Sequence, residues 1–225
     1  MKKDKILIVE DNTNTRRFLE AMLRKEFDIL STDNGLSGVE QSRHSAPDLI
    51  ILDLELPVIS GYDTCSLIKK DPRTQHIPVI LLSSRKSVTD VTFGLSLGAD
   101  DYLPKPFDYK ELLSRIKIRL AKNQQTSPQT LFVGEFVIDP TTREVSSHGK
   151  ITHLTWTEFD ILRLLAEKNG KIVPREEILK AVWKEDSQKT NDRTIDVHIR
   201  ALRKKIPALS KHILSIYGVG YKLES

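Results

Sequence analysis

Five short apolar runs, Ile6 to Val9, Ile29 to Thr32, Leu49 to Leu52, Val79 to Leu82 and Asp101 to Leu103, alternate with stretches of helical period. The helical stretches cover Asn14 to Glu26, Gly35 to Ser45, Gly61 to Lys70, Val88 to Leu97 and Tyr109 to Leu120. No other feature restricts the fold so strongly. Near-continuously apolar strands need cover on both faces, and strand–helix alternation joins parallel neighbours through crossovers. Residues 1–120 are therefore expected to form a five-stranded, doubly wound parallel α/β domain.

The pattern then changes. AKNQQTSPQT over 121–130 has linker composition, with one Pro and no apolar residue after its first. From 131 onward, short apolar runs separated by turn signals predict a small antiparallel sheet with corners at Asp139-Pro140 and His148-Gly149. Helical segments follow at Thr157 to Lys168, Arg175 to Trp183 and Arg193 to Ile206. Thr155-Trp156-Thr157-Glu158 offers the first of these a capping-box start, and Asn169-Gly170 a stop. ILSIYGVGYKL closes the chain as two β-type runs around a Gly-Val-Gly turn, so residues 131–225 read as an α+β winged helix-turn-helix.

Two exclusions follow from composition. No run approaches the ~20 apolar residues of a membrane span, and KKDKILIVED has no signal-peptide core, so a cytoplasmic protein without membrane contact is expected. The single cysteine, Cys65, can form no internal disulfide and reads as a half-buried structural thiol. The formal charge of +4 is modest, but its distribution is not even. Residues 1–122 carry 19 basic and 18 acidic side chains, whereas 123–225 carry 16 and 13, with Arg193, Arg200, Arg203, Lys204 and Lys205 in one segment. Such a cluster suggests a local nucleic-acid surface.

The carboxylates point to chemistry. Glu10 and Asp11 end the first strand, Asp53 ends the third, and Lys105 lies just past the fifth. In an open parallel sheet the carboxyl ends of the strands line the ligand-binding edge. Three acids crowded there are tolerable only with a cation among them. A phosphate acceptor needs these parts: an aspartate whose oxygen attacks phosphorus, a Mg²⁺ that takes oxygen ligands, and a cation for the phosphoryl group. Asp53 suits the first role, Glu10 and Asp11 the second, and Lys105 the third.

ILIVEDN, PDLIILDLELPVISGYD, PVILLSS and GADDYLPKPF resemble the receiver domain of two-component response regulators. LTWTEFDILRLL, REEILKAVW, RTIDVHIRALRKKI and YGVGY resemble the winged-helix effector of the OmpR/PhoB class. The resemblance implies a flavodoxin-like receiver joined to a DNA-binding effector, hence a bacterial, phosphorylation-switched transcriptional regulator rather than an enzyme. It further implies Asp53 as phospho-acceptor from a sensor histidine kinase, with Glu10, Asp11, Asp53 and the Glu55 main-chain carbonyl as Mg²⁺ ligands. Ser83 would bond a phosphoryl oxygen, Lys105 would be the phosphate lysine, Tyr102 the aromatic switch, and Lys105-Pro106 a cis peptide. Movement of Ser83 toward the new phosphoryl oxygens would open space for the Tyr102 ring.

The chain also departs from that pattern. Glu55 stands where an apolar residue is frequent, adding a carboxylate that could alter phosphoryl lifetime. Homodimerisation on phosphorylation would use the face of the fourth and fifth helices, where Asp101 and Arg115, and Glu111 and Lys117, remain available. Val91 and Ser96 replace the usual charged partners there.

In the effector, Ile195, Ile199, Leu202 and Ile206 share one helical face, and Arg193, Val197, Arg200, Ala201 and Lys204 the other. The polar face can enter a major groove of double-stranded DNA at tandem or paired half-sites. Thr194 and Lys205 are placed at the same surface, His198 at its flank on phosphate, and Tyr217 and Lys222 on the hairpin, with Tyr217 replacing a common basic residue. The segment Trp183 to Thr190 would touch RNA polymerase. Two rivals stay open on the residues alone: an Asp-based phosphohydrolase or phosphotransferase with Glu55 as second acid/base, and a regulator that binds DNA constitutively.

Overall fold

A computed structural model describes residues 3–85, 87–120, 129–183 and 193–224, and divides into the units Met1–Lys122 and Asn123–Ser225. In the first unit β1 (Lys5–Val9), β2 (Asp28–Thr32), β3 (Leu49–Asp53), β4 (Val79–Ser83) and β5 (Asp101–Pro104) pair in parallel, in the order β2-β1-β3-β4-β5. Helices α1 (Thr13–Leu23), α2 (Gly35–Ser45), α3 (Gly61–Lys70), α4 (Val88–Ser96) and α5 (Tyr109–Leu120) alternate with them. Every residue of β3 and β4 is buried, so the absence of polar alternation in their sequence reflects cover on both faces. Edge strand β2 keeps exposed residues. One face of the sheet packs Ile6, Ile8, Leu49, Ile51, Ile80 and Leu82 on Leu19, Leu23, Leu112 and Ile116 of α1 and α5.

Side-chain caps fix where the helices start. Asn12, Asn34, Ser60 and Ser87 each accept main-chain N–H bonds from the following turn. α1 stops at Leu23, three residues before the expected Glu26, and the Glu26 and Phe27 N–H groups turn back to the Leu23 carbonyl. Cys65 is wholly buried rather than half-buried, and burial pushes its thiol up to about 12, which leaves it inert. Its helix-like setting had concealed that α3 turns this side inward. Nearby, Lys69 donates to Asp100 at 2.6 Å and to the Ile77 carbonyl at 2.7 Å, tying α3 to the start of β5.

The second unit opens with an antiparallel meander of β6 (Leu131–Val133), β7 (Phe136–Asp139), β8 (Glu144–Ser147) and β9 (Lys150–His153). Its corners fall at Asp139-Pro140, where Asp139 Oδ1 accepts the Thr141 N–H, and at His148-Gly149. Helices α6 (Trp156–Glu167), α7 (Arg175–Trp183) and α8 (Arg193–Lys205) follow. The capping box at Thr155 and Glu158 forms, and Asn169 and Gly170 leave α6 with positive φ. The hairpin is β11 (Ile213–Ile216) with β12 (Gly220–Leu223), and β12 also pairs with a two-residue strand, β10 (Val173–Pro174), that periodicity cannot detect. That pairing demands glycine: a Cβ on Gly220 would lie 2.0 Å from the Val173 carbonyl oxygen. One core, including Phe136, Phe159, Leu162, Trp183, Ile195, Ile199, Leu202 and Tyr221, joins meander, helices and hairpin. Of the expected linker, residues 121–128 lie outside the described residues, as do 184–190 of the Trp183 to Thr190 segment.

Candidate functional site

Parallel register brings the strand ends together: Val9 lies beside Leu52, Asp53 beside Leu82, and Ser83 beside Pro104. Glu10, Asp11, Asp53 and Lys105 thereby meet at one sheet edge. Glu10 and Asp53 are buried and Asp11 is exposed; one ligand oxygen from each lies within 4.8 Å of the others. The ammonium of Lys105 donates to Glu10 Oε2 and to Asp53 Oδ2, both at 2.9 Å. Asp53 Oδ1 accepts the Glu55 N–H at 3.4 Å, and Glu55 itself is exposed, accepting from Ser84 Oγ at 3.3 Å. The Lys105-Pro106 bond is cis. Chain return behind Asp53 requires Gly61, where a Cβ would lie 2.1 Å from the Asp53 carbonyl oxygen.

Charge in this pocket is finely opposed. Burial pushes the Glu10 carboxyl up to about 7; the Lys105 hydrogen bond works against burial, and the Asp53 charge works with it. Burial also disfavours the charged Lys105, but its bonds to Glu10 and Asp53 prevail and raise its pKa. The ammonium stays charged while Glu10 exchanges its proton near neutrality. An all-oxygen donor set of this kind suits a small hard cation. Arg16, which the sequence reading missed, holds the acidic loop: its Nη1 donates to the Glu10 carbonyl at 2.7 Å and the Asp11 carbonyl at 3.2 Å. It is spaced as an ordinary exposed helix residue, so no sequence signal singles it out.

Ser83 ends β4, and its Oγ accepts the Arg85 N–H at 3.0 Å. Tyr102 is already turned inward, its hydroxyl donating to the Arg85 carbonyl at 2.8 Å.

The expected availability of Asp101 and Arg115 needs correction. Both are buried, joined at 2.6 Å, with Arg119 also on Asp101 and Glu111 on Arg115 at 2.9 Å. Lys117 pairs with Glu26 at 2.7 Å rather than serving Glu111. α5 turns Arg115 and Arg119 toward β5, so these charges are paired within the receiver unit itself.

In the second unit the apolar stripe Ile195, Ile199, Leu202 and Ile206 is buried as expected. Arg193, Arg200 and Lys204 are exposed, Val197 and Ala201 half-buried, and Tyr217 fully exposed at the hairpin tip. Four expected contact residues are placed otherwise. Thr194 and His198 are buried, His198 with its ring 6.0 Å from that of Trp183, because the docked face of α8 is broader than the isoleucine stripe. Lys205 donates to the buried capping-box carboxylate of Glu158 at 2.7 Å. Lys222 pairs with Glu224. Arg203 is also committed, donating to the Ile213 carbonyl at 2.7 Å and Ser215 Oγ at 3.0 Å, which ties α8 to the hairpin. Arg175 and the Tyr221 hydroxyl converge on Asp196 Oδ1 at 2.6 and 2.5 Å, fixing the first turn of α8 between α7 and β12.

Two family models match: "Response regulator receiver domain" over residues 6–117, and "Transcriptional regulatory protein, C terminal" over residues 149–223. The chain is 34% identical over 224 residues to the DNA-binding response regulator MtrA of Mycolicibacterium smegmatis, covering 98% of this chain and 96% of that protein. It is 40% identical over 220 residues to the response regulator ArlR of Staphylococcus aureus, covering 96% and 97%. Among solved structures it is similar to the response regulator DrrB of Thermotoga maritima, described as an OmpR/PhoB homolog. That match has 33% identity and a TM-score of 0.52, and covers 99% of this chain and 100% of the other.

Proposed function

The chain belongs to the response regulators whose DNA-binding domain is of the OmpR/PhoB type, a phosphorylation-switched transcriptional regulator rather than an enzyme on external substrates, and from that premise we propose that Asp53 is its phospho-acceptor. The observation that carries this reading is the Lys105 ammonium bonded at once to Asp53 and Glu10 in one buried pocket. It holds the aspartate in place and stands where the transferred phosphoryl oxygens would need a cation. An Asp53 carboxylate oxygen attacks phosphorus, and the bond from phosphorus to the donor histidine of a sensor kinase breaks. Glu10, Asp11, Asp53 and the Glu55 carbonyl would hold Mg²⁺. When bound, it supplies charge neutralisation to the phosphoryl group.

The new group brings up to about two negative charges. Lys105 exchanges a carboxylate for a phosphoryl oxygen, and the Ser83 hydroxyl, which now accepts from Arg85, donates to another. Tyr102, whose hydroxyl holds the Arg85 carbonyl, is the group that senses this change at the entrance to α4. Residues 1–120 form the receiver, 121–130 the linker and 131–225 the effector. The phosphorylated protein is a cytoplasmic homodimer on tandem or paired half-sites, in reach of RNA polymerase. With Asp101, Glu111, Arg115 and Lys117 paired internally, the dimer draws little on those charges. On DNA, Arg193, Val197, Arg200 and Ala201 face the major groove, Lys204 the phosphates, and Tyr217 the groove beside the hairpin.

Asp53→Asn tests the assignment directly. It should abolish the Mg²⁺-dependent mass gain on incubation with acetyl phosphate, since the amide is a poor nucleophile. Undiminished labelling mapped to another residue refutes it.

A further inference from the structure

Tyr62, in the first turn of α3, belongs neither to the acidic pocket nor to the DNA-binding surface. It nevertheless touches α4, the helix whose entrance Tyr102 holds through the Arg85 carbonyl. Its hydroxyl donates to the Asp90 carbonyl in the first turn of α4 at 3.3 Å, and its ring meets Phe93 edge-on, 4.9 Å between centroids at 73°. Gly94 lies between the two tyrosines. A Cβ there would stand 3.3 Å from Tyr102 Cδ2, 3.4 Å from Tyr62 Cε1 and only 2.8 Å from Leu81 Cδ1. The missing side chain thus leaves a notch on α4 in which the rings from α3 and β5 lie side by side. Their hydroxyls are near enough for each to act on the other's ionisation; burial, followed by Tyr102 and Asp90, pushes Tyr62 up to about 12. Tyr102 grips the Arg85 carbonyl just before α4, and Tyr62 grips the first turn of the helix.

We propose that Tyr62 is a positioning residue of the switch: it holds α4 with the Gly94 notch against Tyr102, and so sets the balance between the inward ring seen here and an outward one. The inference rests on Tyr102 being the aromatic switch. The inward place of Tyr102 is favoured while the notch faces it, because a side chain at Gly94 would crowd the ring from 3.3 Å. The Asp90 bond and the Phe93 contact orient α4 in that sense. Neither contact reaches the carboxylates. Loss of Tyr62 therefore changes how a phosphoryl group is sensed and not how it is received.

The test uses the full chain labelled with 3-fluorotyrosine, with acetyl phosphate as donor and beryllium fluoride with Mg²⁺ as phosphoryl mimic. The chain has five tyrosines, and Tyr102→Phe identifies the relevant fluorine resonance. Tyr62→Phe keeps the ring and removes the bond to Asp90, which should lower the inward-to-outward ratio of Tyr102 about fivefold, the worth of one ordinary hydrogen bond. Tyr62→Leu should lower it further. Gly94→Ala should also lower the ratio with Tyr62 intact, since its Cβ would stand 3.3 Å from the Tyr102 ring and crowd it. In all three the rate of Asp53 labelling should stay at that of wild type. Wild-type Tyr102 behaviour in Tyr62→Leu overturns the proposal, and so does a loss of Asp53 labelling that parallels the loss of Tyr102 response. If Tyr62→Leu does not fold by circular dichroism, Tyr62→Phe decides on the same two criteria. Absence of Asp53 labelling or of any Tyr102 response in wild type overturns the reading of the pocket, and this proposal with it.

Discussion

Replacing Lys105 by alanine removes the ammonium that two buried carboxylates share, and the cost should depend on pH in a defined direction. Orphaning one partner of a buried pair costs about 3–5 kcal/mol if the remaining charge persists. Here a proton can take the place of the ammonium, because burial already pushes Glu10 up to about 7 against the opposing Lys105 bond. A folded pKa above the ordinary 4.5 means that the stability Glu10 contributes is complete below about 4.5 and is lost as pH rises through about 7. Without Lys105 the carboxyl rises further, and the loss continues above neutrality. Around pH 5.5 Glu10 is protonated in both proteins, and the deficit should be about 2 kcal/mol from the lost charged hydrogen bond to Asp53. By about pH 8 it should reach about 3–4 kcal/mol, as each further unit of pKa shift adds about 1.4 kcal/mol. Mg²⁺ should narrow the gap.

Urea unfolding of the full chain reads this out. The two tryptophans, Trp156 and Trp183, both lie in the second unit, so fluorescence follows the effector alone. The circular dichroism step without a fluorescence counterpart belongs to the receiver. A deficit equal at both pH values, or larger at the lower one, refutes the shared-ammonium argument.

Arg115→Ala should destabilise the receiver by about 2 kcal/mol before any association is considered, since it removes the charged hydrogen bonds to Asp101 and Glu111 while Arg119 remains on Asp101; the same unfolding step checks it. Apparent Mg²⁺ affinity, by calorimetry, should fall about tenfold per pH unit below about 7, because the ion and the proton compete for Glu10. Arg200→Ala should cost about 1–3 kcal/mol on a specific site and relax preference at one base pair, whereas Lys204→Ala should weaken all sequences alike and reduce the salt slope by roughly one. A salt-dependent series on an operator and its single-base variants distinguishes them, and wild-type binding by both mutants would move the interface elsewhere.

What was legible in the sequence was what a strand or helix period carries directly. Strands covered on both faces announce themselves as apolar runs, and a parallel sheet must then gather their carboxyl ends, so Glu10, Asp11, Asp53 and Lys105 could be brought together without coordinates, whereas only the family resemblance places Ser83 there. Periodicity fails where contact depends on which neighbour a side chain meets. Lys205 and Lys222 read as free cations in a basic segment, yet each has a carboxylate within reach, Glu158 from α6 and Glu224 two residues on. Thr194 and His198 lie beside the apolar stripe of α8, and only the packing of Trp183 shows that the docked face widens to include them. Asp101 and Arg115 share the same lesson in the receiver, where a pair predicted for an interface is closed inside the fold. Of the α8 cations, Arg203 and Lys205 are held within the unit by Ile213 and Ser215 and by Glu158, whereas Arg193, Arg200 and Lys204 are exposed on the polar face. On the proposed reading of α8 as the DNA-contacting helix, Arg203 and Lys205 then contribute less than the basic composition of the segment suggests, and discrimination rests more heavily on Arg200.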